Sequence, residues 1–422
     1  MLVMALNAGS ATLKYQVYDT DKAEVTASGY VQKIGSPDSF TDQKHNGEKV
    51  TKEIFAANHG EALGIARQML ADVGIDMADV KAVGHRVVQG GEKYKSSVMI
   101  DDQVIKNIEE LAALAPLHNP ANLMGIRAAR EMLPSAAQVA VFDTAFHQSM
   151  PDFNYRYSVP NSWYKDLGVR KYGFHGTSHL FVSKRAAAML GKPAQKCNLV
   201  TLHIGSGASA CAIKNGVSYD TSMGMTPLPG LTMGTRTGDI DPGVILYVME
   251  RLGLSAAEMN SILSKKSGHM GVCGLDDRRD IIAGQKDSDL CRLSVDIEIN
   301  NVKKYIGAYV AELGHVDAIV LTAGIGENNS YLRGRMLEGL EHIGIKLDYE
   351  RNNNIIGSWG KTGEGGTAGT TRGENVLSTD DSKIKIFMVP TNEELVIIED
   401  TLAILNGTYD ADHLRMKYSF NE

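Results

Sequence analysis

The first apolar run, Leu2 to Leu6, ends at Asn7-Ala8-Gly9-Ser10, and a second, Thr12 to Tyr18, alternates toward Asp19. This spacing predicts a β-hairpin with a polar, glycine-containing turn. The same pattern returns near mid-chain: Asn198 to His203, then Ile204-Gly205-Ser206-Gly207, then Ala208 to Ile213 and the turn Lys214-Asn215-Gly216. Two such hairpins so far apart point to one unit used twice.

Between them, apolar positions at helical spacing predict helices over Gly60 to Leu70, Val104 to Leu114 and Asn122 to Met132, with strands at Val80 to Val88 and Gln138 to Phe142. Beyond the second hairpin the pattern predicts helices at Pro242 to Leu252, Ala256 to Ser264 and Leu290 to Leu313, then a buried strand, Ala318 to Thr322. Strands alternating with helices predict an α/β protein with partly parallel sheets. The Gly- and Thr-rich stretch Ser358 to Asn375 lacks apolar periodicity and reads as a mobile loop. Its Gly360-Lys361-Thr362 is not a P-loop, because Ile355 stands where the first glycine is required.

At 422 residues the chain is long enough for two or three domains, and 43% hydrophobic with 22% charged residues suits a folded, globular protein. A net charge of −7 argues against non-specific attraction to nucleic acid or an anionic membrane, so an anionic ligand has to meet local positive charge. Four cysteines without a CxxC pair suggest a reducing, cytoplasmic setting rather than a disulfide framework. No basic segment precedes the first apolar run, and no stretch is long and apolar enough to span a bilayer.

HExxH, GxSxG and CxxC motifs are absent, which leaves glycine turns with cations nearby. Three such turns follow apolar strands: Asn7 to Ser10, Gly205-Ser206-Gly207 and Gly324-Ile325-Gly326-Glu327-Asn328. Backbone N–H groups at such turns can hold phosphate oxygens. Lys14, Arg86 and Arg236 accompany them, and an arginine between glycines can grip a carboxylate or phosphate with its planar fork. His175 stands beside glycines just before a helical stretch, where a helix N-terminus attracts anions. Asp143 follows an apolar strand and could be a catalytic carboxylate or a helix cap. Glu393 and Glu394 open another helical stretch, as caps or as ligands shared between magnesium and phosphate.

Taken in order, NAGSATLK, GHRVVQGG, APLHNP, FDTAFH, YGFHGTSH, HIGSGAS, DTSMGMTPLPGLTMGTRTGDIDPG, GIGEN and TNEEL closely resemble the acetate kinases, from Asn7 to about Thr401. The resemblance implies two duplicated actin-like (ribonuclease H-like) α/β domains with a nucleotide cleft between them. It places residues 1–146 and 391–422 in one domain and 147–390 in a nucleotide-binding domain. It implies ATP and ADP as co-substrates, Mg²⁺ or Mn²⁺ as the metal, acetate and acetyl phosphate as substrates, and a cytoplasmic homodimer without nucleic-acid or membrane partners.

By the same resemblance Asn7 and Glu393 bind the metal, Lys14 lies in the nucleotide site, and Arg86 and Arg236 grip acetate and the transferring phosphoryl group. His175 stabilises the transition state, and Asp143 is essential. Val88, Leu117, Phe174 and Pro227 match the pocket for the methyl group. His203, Ile204, Gly205, Ser206, Gly207, Asp277, Arg278, Arg279 and Gly324, Ile325, Gly326, Glu327 and Asn328 match nucleotide-binding segments. A carboxylate substrate is already ionised at neutral pH and needs no general base before attacking phosphorus in line, so Asp143 is expected to orient the metal shell or an arginine.

The sequence departs from the family at Ser206, usually asparagine, and at Gln89, usually histidine. Ala11 and Thr12 replace two serines. Open alternatives are a propionate or butyrate kinase, a pyrophosphate-dependent acetate kinase, a phosphatase of the same superfamily, and a non-catalytic ATP-driven clamp.

Overall fold

A computed structural model describes residues 1–116, 118–355, 373–410 and 417–421. The chain divides into two compact units, Met1–Gln148 with Asn392–Tyr418, and Ser149–Thr391 with Ser419–Glu422. The stretch 358–372 of the expected loop, and 411–416 of the C-terminal tail, lie outside the described residues.

Among the described residues of the first unit, eight strands form one sheet. They are β1 (Leu2–Gly9), β2 (Thr12–Asp19), β3 (Glu24–Gln32), β4 (Phe40–His45), β5 (Glu48–Glu53), β6 (Val80–Val87), β7 (Val98–Met99) and β8 (Ala137–Phe142). Their spatial order is β5-β4-β3-β2-β1-β6-β8-β7, with β1, β6 and β8 parallel at the centre. Most buried positions of those three strands are apolar because helices pack on both of their faces.

Residue parity decides which helix each side chain meets. Met4, Leu6 and Ala8 pack with Leu63, Ala66 and Leu70 of the helix His59–Ala71. Val3, Ala5, Ala82, Val139 and Val141 pack with Ile397 and Ile398 of the helix Glu393–Leu405. That second helix lies so close that a Cβ at Gly84 would come 2.5 Å from Ile397 Cγ2. Continuing the alternation puts Asn7, Arg86 and Asp143 on this same face, at the carboxyl ends of β1, β6 and β8.

In the second unit the described strands are β9 (Leu199–Ile204), β10 (Ala208–Lys214), β11 (Val217–Thr221), β12 (Ala318–Thr322), β13 (Asn375–Val376) and β14 (Lys385–Met388), ordered β11-β10-β9-β12-β14-β13. The parallel pairs β9–β12 and β12–β14, with antiparallel strands on either side, repeat the first unit's β3-β2-β1-β6-β8-β7. The fold is therefore a duplicated α/β unit, as the two hairpins predict.

Two expected turns are built differently. The ladder of β1 runs on through Asn7 to Gly9, pairing Asn7 with Lys14 and Gly9 with Thr12, so only Ser10 and Ala11 remain for the turn. Gly324 to Asn328 is helical, within Ala323–Asn328, and the sharp change from β12 is made at Ala323, whose φ is +65°.

Candidate active site

In the first unit Arg86 and Asp143 meet across neighbouring parallel strands. Arg86 Nε donates to Asp143 Oδ1 at 2.8 Å and Nη2 to Oδ2 at 2.6 Å, a two-pronged pair that fixes the guanidinium plane. Asp143 is 1% exposed. Burial pushes its carboxyl up and Arg86 pulls it back, while Asp143 holds the arginine charged. Asp143 does not cap a helix.

The backbone after Arg86 is clamped by two asparagines. Asn122 Oδ1 accepts from Val88 N at 3.0 Å while its Nδ2 donates to Ala8 O at 2.8 Å, joining β1 to the Val88 loop. Asn119 makes the same two-way bond with the backbone of Gln89, at 3.0 Å each way. Gln89 itself is buried and accepts from Gly91 N at 2.9 Å. Val88 is buried beside this clamp, and Leu117 lies outside the described residues.

Asn7, Lys14, Arg86, Glu393 and Glu394 line one small cavity. Asn392 is the true cap of the last helix, accepting from Leu395 N at 3.0 Å, so the two glutamates open its first turn without serving as its cap. The amide oxygen of Asn7 and the carboxylates of Glu393 and Glu394 are oxygen donors of a kind that suits a hard divalent cation keeping most of its water.

In the second unit His175 occupies the cap position of the helix Gly176–Met189 in a left-handed conformation, φ +56°, a strained geometry for a non-glycine residue. Its ring stacks on His203 at 4.1 Å, and its Nδ1 lies 2.8 Å from Ser209 Oγ. The same hydroxyl is 2.8 Å from His179 Nε2, and His179 Nδ1 is 2.7 Å from Thr201 Oγ1. His203 Nδ1 is tied through Ser178 to Thr391, whose N–H donates to Glu327 Oε1 at 3.1 Å. Two hydrogen-bonded chains, one holding His175 and the other running from His203 to Glu327, thus meet at the stacked rings of His175 and His203.

Arg236 extends into the same region. A Cβ at Gly207 would sit 3.5 Å from His175 Nε2 and 3.6 Å from Arg236 Nη1, so imidazole and guanidinium converge on a space that glycine leaves open. Arg236 Nη1 donates to the Pro227 carbonyl at 3.2 Å, and burial pulls the guanidinium below its ordinary value. No acidic side chain among the described residues opposes that pull. Gly234 N donates to Ser206 O at 3.3 Å, joining the Arg236 loop to the Gly205–Gly207 turn, with the Ser206 side chain exposed.

Phe174 and Ile204 are buried, and Pro227 is half-buried. Asp277 caps the helix Arg278–Gly284 and pairs with Arg279, whereas Arg278 turns inward to Glu298 at 3.0 Å. The backbone carbonyls of Gly326 and Glu327 each take a bond from Arg333, a fully buried arginine, at 3.0 and 2.9 Å. Arg333 and Asn122 escape sequence reading, while Asn119 and Ser209 lie inside APLHNP and HIGSGAS without a role assigned to them. The one signal available for Asn122 is its position among the polar residues that begin the helix Asn119–Met132.

A profile of the acetokinase family matches residues 2–399. The chain is 50% identical to acetate kinases of Trichlorobacter lovleyi and Geobacter sulfurreducens, in each case over all of this chain and 98% of the relative. Among solved structures, Porphyromonas gingivalis acetate kinase superposes with a TM-score of 0.86 at 43% identity, covering 96% of this chain and 99% of that one. A propionate kinase from Francisella tularensis gives 0.87 at 34%, with the same coverage. Identity at this level over the whole length carries both fold and family: the chain belongs to the acetokinase family, and it is a phosphotransferase of the actin-like fold.

Proposed function

We propose that this enzyme moves the γ-phosphoryl group of ATP to acetate, giving acetyl phosphate and ADP, reversibly and by direct in-line transfer. The observation that carries the reading is Arg236: a half-buried guanidinium with no acidic partner among the described residues, converging with His175 on an open space. Such a cation is incomplete until an anion with spread charge reaches it, and a transferring phosphoryl group is one.

Arg86 holds the acetate carboxylate, its plane set by Asp143, so Asp143 acts as an arginine orienter and not as a base. Val88, Leu117, Phe174 and Pro227 supply apolar surface for the methyl group. Lys14, the segments His203 to Gly207 and Gly324 to Asn328, and Asp277 with Arg279 bind nucleotide, which makes the second unit the nucleotide-binding domain. His175 and Arg236 offset the charge that develops on the transferring group. Asn7 and Glu393 would hold Mg²⁺, which when bound neutralises phosphate charge.

A homodimer fits the helix Pro242–Leu252, whose Leu246, Tyr247 and Leu252 are each more than half exposed. A cytoplasmic setting fits four cysteines that form no disulfide among the described residues, and no described helix is long and apolar enough to cross a membrane.

The test is acetate-dependent ADP formation from MgATP, with the product trapped by hydroxylamine, run beside propionate, butyrate and pyrophosphate. Hydroxamate formed with acetate and ATP supports the proposal. A preference for propionate, activity with pyrophosphate alone, or ATP hydrolysis indifferent to acetate would each replace it.

A further inference from the structure

The helix Asp289–Leu313 carries Glu298, 1% exposed, into the interior of the second unit. Its carboxylate takes Arg278 Nη2 at 3.0 Å on one oxygen and lies 3.2 Å from His269 Nε2 on the other. His269 Nδ1 in turn meets Ser294 Oγ at 2.5 Å, one helical turn before Glu298. Burial raises the Glu298 carboxyl, but Arg278 and His269 outweigh it and hold it down to about 2. Three ionisable side chains, all buried, are an expensive way to fill a core, since an apolar trio of the same volume is usually at least as stable.

The two partners of Glu298 sit under different parts of the candidate site. His269 N donates to Met233 O at 3.0 Å, Met270 N to Gly234 O at 2.9 Å and Ser267 N to Thr235 O at 3.0 Å, so this segment is the floor of the loop that presents Arg236. Arg278 lies between Asp277 and Arg279, and its Nη1 reaches back to Asp276 O at 3.4 Å.

We infer that Glu298, with Arg278 and His269, is a positioning network that sets the Arg236 loop and the Asp277–Arg279 segment in register for one nucleotide. This rests on the ATP reading above. Loss of the carboxylate strands the Arg278 charge and shifts both segments, whereas Arg86, in the first unit, keeps its own partner.

The experiment compares the full-length enzyme with Glu298→Gln, measuring KM for ATP and for acetate, calorimetric Kd for MgATP, and Tm. The expected result is a rise of about tenfold in both the ATP KM and the MgATP Kd, with the acetate KM unchanged within about twofold, and substantial recovery when Arg278→Met is added. A lower Tm with unchanged ATP constants would overturn the inference, as would equal shifts for both substrates or no recovery in the double variant. If Glu298→Gln does not fold, His269→Asn is read the same way, with about a threefold rise in the ATP constants expected and no rise overturning. A parent enzyme that binds MgATP but ignores acetate would sink the acetate reading alone, because the calorimetric comparison needs no acetate.

Discussion

Arg86 and Arg236 are the same residue type in opposite electrical circumstances. Arg86, in the first unit, is already matched by Asp143 in a planar two-bond pair, whereas Arg236, in the second, has a backbone carbonyl and no acid among the described residues. A matched arginine is a rigid template whose charge is largely spent, suited to orienting a carboxylate. An unmatched, half-buried arginine is a standing electrostatic debt that binding of an anion removes, suited to charge that appears during reaction.

The comparison is broken most directly at Arg236. Arg236→Ala should lower kcat/KM about a thousandfold, about 4 kcal/mol of transition-state stabilisation, and leave Tm unchanged or raised because an unpaired cation is removed. A clear drop in Tm would mean that Arg236 has a structural partner after all. Asp143→Ala should do the reverse to stability, costing about 3 kcal/mol by leaving the half-buried Arg86 without its acid, and a paired Asp143→Leu, Arg86→Met change should recover it without activity. Urea unfolding of the three variants measures this, and a neutral Asp143→Ala would refute the matched-pair view.

Acid sharpens the account of the first unit. Burial pushes His85 down to about 4, with Gln138 opposing. The unfolded chain takes up that proton near pH 6.5 and the native chain only near pH 4. The His85 contribution is therefore intact above about pH 6.5 and is lost on acidification toward pH 4, by up to about 3 kcal/mol. His85→Asn should flatten that part of the pH–stability curve, and an unchanged slope would remove His85 from the explanation. The smallest effect is expected at Gly207. A Cβ there makes only ordinary contacts with the protein but fills the space between His175 and Arg236, so Gly207→Ala should cost about tenfold in kcat with Tm unchanged. Full activity in that variant would place the anion elsewhere.

Both hairpins, the central strands and the helices Pro242–Leu252 and Asp289–Leu313 were legible because apolar spacing dictates them. β3, β4 and β5 were not, since β5, Glu-Lys-Val-Thr-Lys-Glu, is an exposed edge strand whose charged side chains erase the alternation. Arg86 and Asp143 each stood out singly, but their pairing spans 57 positions and depends on the parallel register of β6 and β8. Ser209 closes HIGSGAS, but its role was invisible because a hydroxyl between two imidazoles has no sequence spacing to betray it. Arg278 read as one of three consecutive ligand residues. Its inward turn depends on Glu298, twenty residues away.

The helix Glu393–Leu405 closes the face formed by Val3, Ala5, Ala82, Val139 and Val141. A ribosome finishes those strands about 250 residues before it finishes the helix, a delay of roughly ten to fifty seconds at ordinary synthesis rates. Through that interval the nascent first unit carries an uncovered apolar sheet and lacks Glu393 altogether. The second unit, contiguous in sequence apart from its last few residues, faces no comparable wait. Maturation of this enzyme is thus ordered in time, with the half that emerges first waiting longest for the helix that closes its sheet.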